Sequence, residues 1–181
     1  PELTTLLVAQ AAEAAGDRPR ATEAYKALLS DDKTRFVGIR GLIQQKLAEG
    51  DRETALKLAE KAFQLRPKHA ETQDVLLKLQ SDAGDWSGAR ATLGAKLKTG
   101  TLPRDVYRRR DAVLALQQAH VVIDEGASIE AREAAIEANR LSPDLIPAAA
   151  MAARGYAEKG DRRSATRVLK KAITDVDAAE V

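Results

Sequence analysis

The chain has 181 residues, 44% hydrophobic and 31% charged, a balance that suits a globular rather than a disordered chain. Its 35 Ala and 21 Leu against 6 aromatic residues favour helix over an all-β fold, and the absence of Cys, with only two His, excludes disulfide scaffolds, thiol nucleophiles and a multi-His metal site. The 29 basic and 27 acidic residues leave a net charge of +2, which carries no strong nucleic-acid signal, and the most apolar stretch, 146–153, is far shorter than a membrane span.

The chain opens Pro1-Glu2-Leu3 with neither a Met nor a secretory signal, and reads as an excised piece of something longer. Along it, a Gly followed five residues later by an Ala recurs at Gly16/Ala21, Gly50/Ala55, Gly84/Ala89, Gly126/Ala131 and Gly160/Ala165, in steps of 34, 34, 42 and 34 residues. Asp follows the Gly at Asp17, Asp51, Asp85 and Asp161. The pattern predicts one helix ending at each Gly in a left-handed turn, an Asp capping the next helix, and an Ala on that helix's inner face. At the fourth turn, Gly126-Ala127-Ser128, Ser128 is the expected cap.

First helices are expected near 3–15, 35–49, 70–83, 104–124 and 145–159. The second helices carry apolar residues three and four apart: Ala21, Tyr25 and Leu28; Ala55, Ala59 and Ala62 before Pro67; Ala131, Ala135, Ala138 and Leu141 before Pro143; Ala165, Leu169 and Ala172. The 42-residue step is expected to add a longer connection around 98–105 and extra turns on the fourth first helix. The whole predicts an all-α solenoid of five helix pairs, a single array over 1–181 with units at about 1–34, 35–68, 69–103, 104–143 and 144–178. The last pair ends near Val181 without a clear polar cap, so its outer face is expected to meet further sequence or another chain.

A 34-residue helix–turn–helix unit with small residues at its eighth and twentieth places and a proline at the thirty-second resembles the tetratricopeptide repeat. Matching residues include Ala9, Ala21 and Tyr25, then Leu42, Ala55, Ala62 and Pro67, then Ala119, Ala131, Ala138 and Pro143, and finally Ala153, Tyr156, Ala165 and Ala172. The aromatic opening of that repeat and its Gly at the eighth place are absent. The order of segments further resembles the C-terminal part of the HemY-type proteins, membrane-anchored tetratricopeptide proteins of porphyrin-synthesis operons. The likeness rests on 6–17, Arg40-Gly41-Leu42 before Gly50-Asp51, 83–89, Arg108-Arg109-Arg110-Asp111 and 142–149. It implies a right-handed superhelix facing the cytoplasm at a bacterial inner membrane, anchored by transmembrane helices outside this chain, that holds heme-pathway enzymes.

In tetratricopeptide stacks the first helices line the concave side. Their second, fifth, sixth, ninth, twelfth and thirteenth places give a candidate partner-binding groove of Gln10, Arg40, Gln44, Asp74, Lys78, Gln117, His120, Met151, Arg154 and Glu158. The ninth-place ladder Gln10, Gln44, Lys78, His120 and Arg154 is polar and turns basic, which suits an extended or helical protein segment of some acidic character. Arg104, Arg108, Arg109 and Arg110 form a second candidate, a basic patch for anionic lipid or a partner's carboxylates; the alternative is a solvated, salt-bridged helix. Trp86 is expected to cover an inter-helix turn, and His69 to be an ordinary turn residue. Carboxylates such as Glu53, Glu133 and Glu137 sit at helix-surface spacing, and no nucleophile–base pair stands out. The expected function is therefore a non-enzymatic protein-interaction scaffold without cofactor or metal. The alternative is a heme or porphyrin carrier with His120 as ligand.

Overall fold

The computed structural model describes residues 2–124 and 128–179. Among them stand ten α-helices and no strand: α1 (Glu2–Ala14), α2 (Arg18–Ala27), α3 (Arg35–Glu49), α4 (Arg52–Leu65), α5 (Ala70–Asp82), α6 (Trp86–Lys98), α7 (Arg104–Asp124), α8 (Ser128–Leu141), α9 (Ile146–Glu158) and α10 (Arg162–Ala179). The turns follow the expected chemistry. Gly50, at φ 77°, ends α3: its N–H donates to the Leu47 carbonyl and that of Asp51 to the Lys46 carbonyl, at 3.1 and 2.9 Å. This double closure of the last helical turn needs a left-handed residue, and glycine adopts that conformation without a Cβ clash. Gly16, Gly84 and Gly160 share the positive φ. The four aspartates cap as expected: Asp17, Asp51, Asp85 and Asp161 accept from the N–H groups of Arg20, Thr54, Gly88 and Ser164 at 2.9–3.2 Å. Gly126 and the side chain of Ser128 lie outside the described residues.

The chain divides into two compact units, Pro1–Gly84 and Asp85–Val181. In the first, α1 packs on α2, α2 on α3, α3 on α4 and α4 on α5. Its core gathers Tyr25, Leu28 and Leu42 around Ala9, Ala12, Ala21 and Ala24, and gathers Phe36, Ile39, Ile43, Leu76 and Leu79 around Ala55, Ala59 and Ala62. Tyr25 is seated against two glycines of α3. A Cβ on Gly41 would collide with the Tyr25 ring, and one on Gly38 would stand 2.7 Å from the Tyr25 carbonyl oxygen. Burial, with Glu13 close by, pushes the Tyr25 phenol up to about 12.

In the second unit α6 packs on α7, α7 on α8, α8 on α9 and α9 on α10. Here the buried side chains are mostly alanine: Ala112, Ala115, Ala119, Ala131, Ala135, Ala138, Ala148, Ala149, Ala152 and Ala153. Among them lies a charged pair. Asp111, 3% exposed, accepts from Arg90 Nε at 2.6 Å and from Nη2 at 3.2 Å, and Tyr107 donates to the same carboxylate at 3.4 Å. The Asp111 carboxylate holds the Arg90 guanidinium above its ordinary value. The residue that breaks the arginine run is thus the one that turns inward.

Two expectations need correction. The residues added by the 42-residue step enter the helix almost entirely: α7 has 21 residues where α5 and α9 have 13, while the connection from α6 is only 99–103. The apolar stripe expected to lie inward on α10 does so only in part. Ala172 is buried, Ala165 is half-buried and Leu169 is 42% exposed. The Leu169 position is covered in the earlier pairs by a following first helix, and no such helix follows α10 among the described residues.

Candidate partner-binding surface

The ten groove residues fall five to each unit. In the first, Gln10 stands on α1, Arg40 and Gln44 on α3, and Asp74 and Lys78 on α5; all are exposed. The first helices bring Arg40 and Gln44 to the mouth of a cleft about 30 Å³ in volume, whose floor is Ile43, Ala59, Thr72 and Val75. Across that mouth Arg40 is paired with Glu71. Glu71 is not among the residues expected from the sequence, although it holds the second place of its unit, one of the places that define the groove. Arg40 also lies 5.9 Å from the centre of the Phe36 ring, and Arg66 covers the same ring at 4.3 Å.

His69 does more than fill a turn. It is the N-cap of α5: Nδ1 accepts from the Thr72 N–H at 3.3 Å, and the ring meets Phe36 edge to face at 5.0 Å. Farther along α5, Asp82 accepts from Lys78 at 2.9 Å and from Arg52 at 3.0 Å. The Lys78 ammonium holds the Asp82 carboxyl below its usual range. The cations of this face are therefore paired with carboxylates. They remain exposed, and such pairs contribute little to stability and exchange readily for another carboxylate.

In the second unit Gln117 and His120 are exposed on α7, Arg154 and Glu158 are exposed on α9, and Met151 is half-buried. Arg154 Nε donates to Glu158 at 3.2 Å, and Arg132 reaches the other oxygen of that carboxylate at 4.0 Å. Met151 packs against the cluster of Ala115, Leu116, Ala138 and Ala148. The arginine run does not act as one patch. Arg109 donates to Ser142 Oγ at 2.7 Å and to Asp144 at 2.8 Å, tying α7 to the turn after α8, while Arg104, Arg108 and Arg110 are exposed. Ser142 donates to Asp144 at 2.7 Å; that bond, followed by the nearby Arg109 charge, keeps the Asp144 carboxyl low. The carboxylates expected to be solvated largely pair along their own helix: Glu53 with Lys57 at 2.7 Å and Glu137 with Arg140 at 2.6 Å. Trp86 is the first residue of α6 and is half-buried. Among the described residues no group of three or more His, Asp or Glu could hold a metal ion, and no helix is long and apolar enough to cross a membrane.

Helix pairs repeating about glycine turns, with this alanine register, define a helical repeat solenoid of the tetratricopeptide type. No family model and no curated protein matches the sequence. Among solved structures the chain is similar to a crystal structure of MamA protein, at 20% identity and a TM-score of 0.50, over 96% of this chain and 90% of that one. It is also similar to MamA from Desulfovibrio magneticus RS-1, at 16% identity and a TM-score of 0.47, over 99% and 97% of the two chains. A third likeness is YrrB, described as a tetratricopeptide protein with an unusual peptide-binding site, at 19% identity and a TM-score of 0.38, over 85% and 93%. At its 20% identity the first of these likenesses speaks to the fold alone.

Proposed function

We propose that the chain is a non-enzymatic scaffold that holds protein segments on the exposed faces of its first helices. The observation that carries this is the cleft of the first unit. Successive first helices, α3 and α5, leave an apolar floor between them, and a polar rim of Arg40, Gln44 and Glu71 borders it. An apolar floor with a few fixed polar groups suits a side chain of an extended or helical segment, and Arg40 and Lys78 can exchange their present carboxylates for those of a guest. Arg154 offers the same exchange on the second unit. Arg104, Arg108 and Arg110 add a separate contact for anionic groups.

The sequence likeness to HemY-type proteins supports a finer reading, in which the guests are heme-pathway enzymes and the scaffold works at the cytoplasmic face of a bacterial inner membrane. Crosslinking in the native membrane, followed by identification of the captured proteins, tests it. Lys78→Glu and Arg154→Glu should each reduce capture of the true guest several-fold at low salt. Unchanged capture in both variants rejects this surface. A carrier role has one feature in its favour, the exposed imidazole of His120. Hemin titration decides it: a Soret shift lost in His120→Ala supports the carrier, and no shift removes it.

A further inference from the structure

In the first unit, the gap between α1 and α3 and the gap between α3 and α5 are related by one 34-residue step of the sequence. The later gap is filled from within. The Phe36 ring, 3% exposed, lies under Arg66 at 4.3 Å and Arg40 at 5.9 Å, and His69 meets it edge to face. One step earlier, the places of Phe36, Arg66, Arg40 and His69 hold Glu2, Asp32, Leu6 and Arg35. Glu2 brings no ring, and Asp32 and Arg35 pair with each other at 2.7 Å.

Leu28, larger than its counterpart Ala62, takes part of the room. The rest stays open as a cleft of about 280 Å³, lined by Leu3, Leu6, Leu28 and Val37, with Glu2 and Lys33 beside them. Leu28 is buried, and Leu6 and Val37 are half-buried, so the walls between the two helices are apolar. Residue identity separates the two gaps: a phenylalanine at the start of α3 closes one, and a glutamate at the same place of α1 leaves the other open.

The same step relates this cleft to a charge. Leu6 and Arg40 hold the same place of successive units, and so do Val37 and Glu71. The apolar cleft and the Arg40–Glu71 pair therefore stand one helix spacing apart, about 8–10 Å. An extended segment rises about 3.3 Å per residue, so three residues bridge the two. Arg40 and Glu71 are both exposed, and a pair of that kind gives way readily to another carboxylate.

We propose that the guest of the first unit is an extended segment carrying an aromatic side chain and, three residues away, a carboxylate. The ring enters the α1/α3 cleft and takes the part that Phe36 plays between α3 and α5. The carboxylate replaces Glu71 on Arg40. This rests on the reading of the first-helix faces as a guest surface, and adds the chemistry of the guest which that surface selects.

Selection from a random peptide phage library on the 181-residue chain tests it, with binding of the selected peptides, made synthetically, measured afterwards. The selected sequences should share Phe, Tyr or Trp and an Asp or Glu three residues apart. Glu2→Phe, which supplies the missing ring from within, should abolish their binding while keeping the helical circular dichroism spectrum. Glu2→Gln, which removes the charge and adds no ring, should bind as the unaltered chain does. Arg40→Glu should weaken binding several-fold at low salt. A shared motif without this spacing overturns the proposal and leaves the scaffold reading standing. So does binding that survives Glu2→Phe or Arg40→Glu. A library that yields no binder overturns the scaffold reading together with the proposal.

Discussion

In the first unit, large side chains share the space between helices about equally with alanine: Phe36, Ile39, Ile43, Leu76, Leu79, Tyr25, Leu28 and Leu42 interlock with seven alanines. In the second, alanine does most of the filling, and an ion pair, Arg90 with the buried Asp111, stands among the helices. The difference teaches that one repeat pattern tolerates two kinds of interior. The first kind buries much apolar area per side chain and depends on each large residue. The second brings backbones close, removes less area from water per residue, and depends on the alanines staying small and on its polar groups staying paired.

Substitutions can break that contrast. The largest effect is expected from Phe36→Ala, which removes a ring that is 3% exposed and also orphans the arginine stacked on it; a loss of about 3–5 kcal/mol should appear in urea unfolding. Asp111→Ala should cost about 3 kcal/mol, because it leaves the Arg90 guanidinium half-buried and unpaired, whereas Arg90→Leu with Asp111→Leu should recover most of the loss. If the double substitution is as damaging as the single one, the pair fixes the geometry of α7 rather than merely neutralising itself.

The mirror experiment is Ala152→Leu. Ala152 is fully buried beside Ala153 and Val168, and added volume there should cost about 1–3 kcal/mol, while Leu76→Met in the first unit should cost less. The smallest effect is a pH dependence common to both units. Asp51 and Asp161 are held below the usual carboxylate range by the hydroxyl and backbone N–H groups they cap, at Thr54 and Ser164. Their contribution is complete above the unfolded carboxyl pKa, about 3.9, and is lost as pH falls through the lower folded values. Asp51→Asn and Asp161→Asn should therefore flatten the acid limb of the stability curve while keeping the caps, which thermal melts between about pH 2 and 6 can follow.

The turns were legible in the sequence because their causes are local. A left-handed glycine, an aspartate within reach of the third N–H of the next helix, and an alanine five places on all act over a few residues. Contacts between helices were less legible. Gly38 and Gly41 look like poor helix formers until Tyr25, more than a dozen residues earlier, is seen lying across them. Asp111 looks like an interruption of an arginine run until Arg90 reaches it from α6. Of the groove, the helix faces were readable from register, but the pairing of Arg40 was not, since its partner Glu71 belongs to the next pair.

The Tyr25 seat has one more consequence. Among the described residues only α3 offers two glycines to a second helix, and only α2 brings a tyrosine to fill the notch they leave. The pairs are therefore keyed rather than interchangeable: a shuffled copy in which α2 preceded α5 or α9 would drive the phenol into Val75 or Met151, and α3 placed after α4 would face Ala59 across a void.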